Sequence, residues 1–123
     1  MNTSARTLDK LADNTTDYWI RTKIVEHPNT STETLDKLAN DKDVVLKMDI
    51  ARNPNTSTET LDKLADVNDY NVKSYVARHP NTSTETLDKL ANYKNPSIKY
   101  LITVHPNTSI DTMKKIVNDK TTR

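Results

Sequence analysis

The sequence has no cysteine, no glycine and no phenylalanine. Without cysteine there is no disulfide, no thiolate nucleophile and no thiolate-held zinc or iron–sulfur cluster. There is no GxSxG elbow, Walker loop or HExxH motif, so no catalytic residues and no cofactor are expected. Charge of one sign is also missing. Lys and Arg number 18 against 17 Asp and Glu, for a formal net charge of +1. That balance gives no bulk attraction to nucleic acid or to an anionic membrane. No apolar run approaches the roughly 20 residues that span a bilayer. The segment from Met1 to Arg6 has no signal-peptide apolar core, so an intracellular, cytoplasmic protein is expected. Only 33% of the residues are hydrophobic, which is low for a compact globule. A thin solenoid, with much surface per residue, tolerates that value.

What the sequence does have is repetition. The tract Pro-Asn-Thr-Ser-Thr-Glu-Thr-Leu-Asp-Lys-Leu-Ala starts at Pro28, Pro54 and Pro80, and a degraded copy starts at Pro106. The step is 26 residues each time. The expected organisation is a single repeat domain over 1–123, with a partial first unit at 1–27. Full units follow at 28–53, 54–79 and 80–105, and a half unit at 106–123.

The first half of each unit reads as a capped helix of about nine or ten residues. Thr30 with Glu33, Thr56 with Glu59 and Thr82 with Glu85 have capping-box spacing. Leu35, Leu38 and Ala39 then fall on one apolar face. In the second half, Ile20, Leu46, Val72 and Ile98 each precede by four residues Ile24, Ile50, Val76 and Ile102. That spacing favours a second helical element, α or mixed with 3₁₀ turns, ending where His-Pro or Asn-Pro disfavours helix. The expected fold is all-α, a solenoid with two short helical elements per unit. The expected core is Leu8, Leu11, Leu35, Leu38, Leu61, Leu64, Leu87, Leu90, Met113 and Ile116. Tyr18 and Trp19 occur only in the first unit and are expected to cover the open end of that core.

The run Asn53-Pro54-Asn55-Thr56…Glu59…Leu61…Leu64-Ala65, followed by Val72-Lys73…Val76-Ala77-Arg78-His79-Pro80, resembles the leucine-rich repeat variant family. The resemblance extends over essentially the whole chain. It implies a right-handed superhelix of alternating α and 3₁₀ helices, not the strand-containing horseshoe of ordinary leucine-rich repeats. Ser31, Ser57 and Ser83 stand where that family often has proline, and the 26-residue unit is slightly longer than its usual repeat. The iron–sulfur cluster of some members cannot transfer to a chain without cysteine. The resemblance supplies no catalytic residues.

Three polar features invite a functional reading. The row His27, Asn53, His79 and His105 directly precedes the prolines. Stacked repeats stand about 9–10 Å apart, whereas a metal takes a histidine nitrogen at about 2.1 Å. Asn53 also interrupts the row, so the expectation is a structural turn row and no metal. Arg21, Lys47, Lys73 and Lys99, extended by Arg52 and Arg78, form a linear basic stripe that can contact phosphates. Third, the stretches Asp41–Lys47, Asp66–Lys73 and Asn92–Lys99 differ much more between units than the capped helices do. Repeat proteins place binding differences on one face and keep the stacking residues uniform. A non-catalytic scaffold with an unidentified protein partner is therefore the leading expectation. Nucleic-acid binding through the basic stripe and a purely structural role are the alternatives.

Overall fold

The computed structural model describes residues 4–118. These form nine α-helices in order: α1 Ala5–Asn14, α2 Tyr18–Glu26, α3 Thr32–Leu38, α4 Val44–Arg52, α5 Thr58–Leu64, α6 Tyr70–Arg78, α7 Thr84–Leu90, α8 Pro96–Val104 and α9 Ile110–Asn118. The fold is all-α. Helices adjacent in the chain touch, and the even-numbered helices also pack next neighbour on next neighbour, α2 on α4, α4 on α6 and α6 on α8. Such contacts fit superhelical packing.

One expectation is overturned here. Among the described residues there is no β-strand, which a leucine-rich repeat architecture carries, and no 3₁₀ helix alternating with the α-helices. The resemblance to the leucine-rich repeat variant family is therefore not supported, and the second element of each unit is plain α-helix.

The caps also move. Ser31, Ser57 and Ser83, not Thr30, Thr56 and Thr82, are the N-caps, and their hydroxyls accept from the amides of Thr34, Thr60 and Thr86. The hydroxyls of Thr30, Thr56 and Thr82 turn inward instead. They donate to the carbonyls of Ile24, Ile50 and Val76, and all three threonines are fully buried. Each ties the exit of an even helix to the entry of the next odd one. With Ser as the N-cap and Ala39, Ala65 and Ala91 as C-caps, α3, α5 and α7 are seven residues long, below the expected nine or ten. The acidic residues Glu33, Glu59 and Glu85 stay in the first turn, at the favourable end of the helix dipole. The even helices are capped by Asp17, Asp43, Asp69 and Asn95, whose side chains accept first-turn amides.

Seven-residue helices are too short to stand alone, and neighbours hold them. Leu35, Leu61 and Leu87 are fully buried, and Leu38, Leu64 and Leu90 nearly so. The even helices meet them with Leu46, Ile50, Val72, Val76, Ile98 and Ile102. The core thins at both ends. Leu11 is 44% exposed and Trp19 73%, so Trp19 does not cover the first unit. Met113 and Ile116 are only half-buried. The physical reason is the same in each case: an inner helix has a packed unit on both sides, and an end helix has one.

Polar bonds between units accompany the apolar stack. Asn55, Asn81 and Asn107 each reach back with Nδ2 to two carbonyls of the preceding unit, for Asn55 those of Pro28 and Thr30, both at 3.0 Å. Thr32, Thr58 and Thr84 reach forward to the carbonyls of Asn55, Asn81 and Asn107 at 2.7–2.8 Å. The inner odd helices are joined by carboxylates: Thr86 Oγ1 donates to Asp62 at 2.8 Å and Lys89 Nζ lies 3.0 Å from the same oxygen.

Candidate functional site

The histidine row lies inside the stack. His79 and His105 are buried, and their Nε2 atoms lie 2.8 Å from the carbonyl oxygens of Asn53 and His79. Their Nδ1 atoms accept from the amides of Asn81 and Asn107 at 3.0 Å, which places the ring hydrogen on Nε2. Asn53 performs both tasks with an amide: Nδ2 donates to the Val25 carbonyl at 2.7 Å and Oδ1 accepts from Asn55 at 2.8 Å. His27, half-buried at the N-terminal end, accepts from Asn29. Among the described residues no group of three or more His, Asp or Glu converges as a metal site.

The basic stripe is largely taken up within the fold. Arg21 Nη1 lies 2.6 Å from Asp41. Lys47 and Lys73 donate to the carbonyls of Ala39 and Ala65 at 2.8 and 2.5 Å. Those carbonyls end α3 and α5, where the helix dipole favours a cation. Burial holds the Lys73 amine below its ordinary pKa, against the opposing pull of Asp66. Lys99 is buried, 4% exposed. The stripe therefore does not present a continuous row of cations to solvent.

Arg52 and Arg78 are different. Both are exposed, and both guanidiniums lie against the Tyr75 ring, 5.3 and 5.8 Å from its centroid. Each sits at the last position of its helix, and Tyr75 lies one turn earlier on α6. Together they line a shallow furrow between successive even helices. It starts at Glu26, Pro28 and Asp49, passes Arg52 and Pro54, and continues to Tyr75, Arg78 and Pro80. Burial raises the Asp49 carboxyl above its ordinary range, and Glu26 adds to the effect. The furrow thus has an acidic end and a basic, aromatic end.

Two of the furrow positions change between units. The position of Lys23 is taken by Asp49, Tyr75 and Leu101 in the later units, and that of Glu26 by Arg52, Arg78 and Val104. The contrast between capped helices and varied stretches in the sequence pointed to the intervening stretches. The furrow lies at the other end of the even helices. Its sequence signal is these two changing positions beside unchanging prolines.

Among the described residues no helix is long and apolar enough to cross a membrane. Comparison of the chain with protein-family models, with curated proteins and with solved structures finds no match.

Proposed function

We propose that the chain is a non-catalytic helical scaffold, one right-handed solenoid of 26-residue units, which binds a protein partner along the furrow over α2, α4, α6 and α8. One observation carries this reading. The position of Lys23 reads Lys, Asp, Tyr and Leu along the stack and that of Glu26 reads Glu, Arg, Arg and Val, whereas the position of Asn55, which bonds back to the preceding unit, is Asn in every unit from Asn29 to Asn107. A face that varies on a fixed frame is how repeat proteins encode binding. The occupant that suits the furrow is an extended peptide segment with an acidic residue for Arg52 and Arg78 and an apolar one for Tyr75.

A photo-crosslinking residue in place of Tyr75 tests this in cells of the source organism. It should trap a discrete partner that Arg52→Glu with Arg78→Glu abolishes and that the same residue at exposed Lys63 does not trap. Equal trapping at both positions contradicts the reading. The nucleic-acid alternative is disfavoured by the engagement of Lys47 and Lys73 with helix-end carbonyls. It requires salt-sensitive binding of single-stranded RNA at about 50 mM salt, and none is expected.

A further inference from the structure

The furrow over the even helices is three grooves in a row, and each has its own chemistry. Each is walled by two packed even helices, α2 with α4, α4 with α6 and α6 with α8. The first groove is acidic. Glu26 and Asp49 line it, and the cations that face them, Lys23 and Arg52, stand off at 3.9 and 4.0 Å. The second is cationic, with Arg52 and Arg78 sharing the Tyr75 ring. A guanidinium stacked on a ring spends its face there and keeps its N–H edge for a carboxylate. The third is apolar. Tyr70, Pro96, Tyr100 and Leu101 line it beside Arg78, and Tyr70 and Tyr100 are 41% and 66% exposed.

The change of chemistry comes from two columns. Asp49, Tyr75 and Leu101 are successive copies of one position, and Glu26, Arg52 and Arg78 of another. Because the copies recur with the units, the grooves recur at the spacing of packed helices, about 9–10 Å. An extended chain rises about 3.3 Å per residue. About three residues therefore carry an extended segment from one groove to the next.

From this we infer that the furrow reads an ordered linear motif. The occupant is an extended segment with an acidic residue at its centre, a lysine or arginine about three residues to one side and a large apolar residue about three residues to the other. The inference rests on the reading of the furrow as the partner site, and adds the order and spacing of the partner's side chains. The cation meets Glu26 and Asp49, the carboxylate meets Arg52 and Arg78, and the apolar side chain meets Tyr100 and Leu101. Burial and Glu26 together hold the Asp49 carboxyl above its ordinary range, a crowding that a cation from the partner relieves. Charge complementarity also fixes the register. A shift by one groove in one direction sets the cation against two arginines, and a shift in the other sets the carboxylate against two acids.

A displayed library of random peptides, panned on the full-length chain, tests this. The selected peptides should lose binding to Arg52→Glu with Arg78→Glu, and should carry the three side chains in the stated order. Replacing the selected cation by alanine should weaken binding to the natural chain about twofold to fivefold. Panning on Asp49→Lys with Glu26→Arg should replace that cation by an acidic residue and leave the central one unchanged. The fold accepts all four substitutions, because Lys23, Glu26 and Arg52 already stand in the same columns. Circular dichroism should show native helix content in each variant. Peptides that need Arg52 and Arg78 but lack the cation or the apolar residue at that spacing overturn the ordered motif and leave the furrow reading standing. Selected peptides indifferent to Arg52→Glu with Arg78→Glu, or no selected peptide at all, overturn both. Self-association of the natural chain in sedimentation velocity that the same two substitutions remove places a second copy in the furrow, and overturns the motif as well.

Discussion

α5 and α6 lie side by side and both bury residues in the core, yet they are fixed by different forces. α5 reads Thr-Glu-Thr-Leu-Asp-Lys-Leu, identical to α3 and α7. Thr60 and Ser57 donate to Asp36 of the unit before, and Asp62 accepts from Thr86 and Lys89 of the unit after. A change at any of these positions breaks a pair on a neighbouring unit. α6 is held by Val72, Val76 and Ala77, all fully buried, and its Tyr75 and Arg78 join no unit through hydrogen bonds of that kind. Those positions are free to vary. Identity at the bonded Thr and Asp positions of the odd helices is therefore the trace of reciprocal polar bonding, and variation on the even helices falls at positions that make no such bond to a neighbouring unit.

The largest break of that contrast is one it does not distinguish. Leu64→Ala removes a side chain 1% exposed and should cost about 2–5 kcal/mol in urea unfolding. A loss below that range would mean the odd helices can collapse onto the cavity. Thr82→Val comes next. It keeps the shape but strips the Val76 carbonyl of a donor held at 2.6 Å in a fully buried turn, and should cost about 1–3 kcal/mol. Ser57→Ala removes the N-cap of α5 and should cost about 0.5–2 kcal/mol.

That ordering marks what the sequence disclosed. The Leu columns, the five odd and four even helices and the breaks before proline follow from spacing alone. The caps did not, because Thr30 and Ser31 are equally good capping residues on paper. Which hydroxyl turns inward depends on the Ile24 carbonyl six residues earlier in the chain, presented by the fold. The even-helix caps Asp17, Asp43, Asp69 and Asn95 were legible as an acid or amide every 26 residues, but they sit inside the most variable stretches. The basic stripe was real as a column. Its direction depended on where α3 and α5 end, and periodicity does not give that to within one residue. The furrow became visible only once Arg52 and Arg78 were seen against one ring.

A smaller effect comes from pH. Lys37, then Thr34, holds the Asp9 carboxyl below its ordinary range; Lys89 and Thr86 do so for Asp62, and Lys115 and Thr112 for Asp88. Each carboxyl binds its proton less readily folded than unfolded. Its stabilisation is therefore present above the ordinary value of 3.8 and is lost as pH falls through that value toward the lower folded one. The side chains of Asp62 and Asp88 are about half exposed, at 51% and 49%, so the effect is modest and salt-screened. Thermal unfolding of Asp62→Asn should show a deficit against the natural chain at neutral pH that shrinks below 3.8. A deficit unchanged by acid would place the role of Asp62 in shape and not in charge.

The central claim is that constant positions join the units and varied positions face a partner. Urea unfolding of two full-length variants side by side tests it most directly. Asn81→Ala deletes the bonds to the carbonyls of Pro54 and Thr56 and should lower stability by about 1–3 kcal/mol. Arg52→Ala with Arg78→Ala alters two exposed furrow residues and should lower it by less than about 1 kcal/mol, the range of exposed cation–π contacts. A double arginine variant as unstable as Asn81→Ala would contradict the division of labour between the constant frame and the varied face.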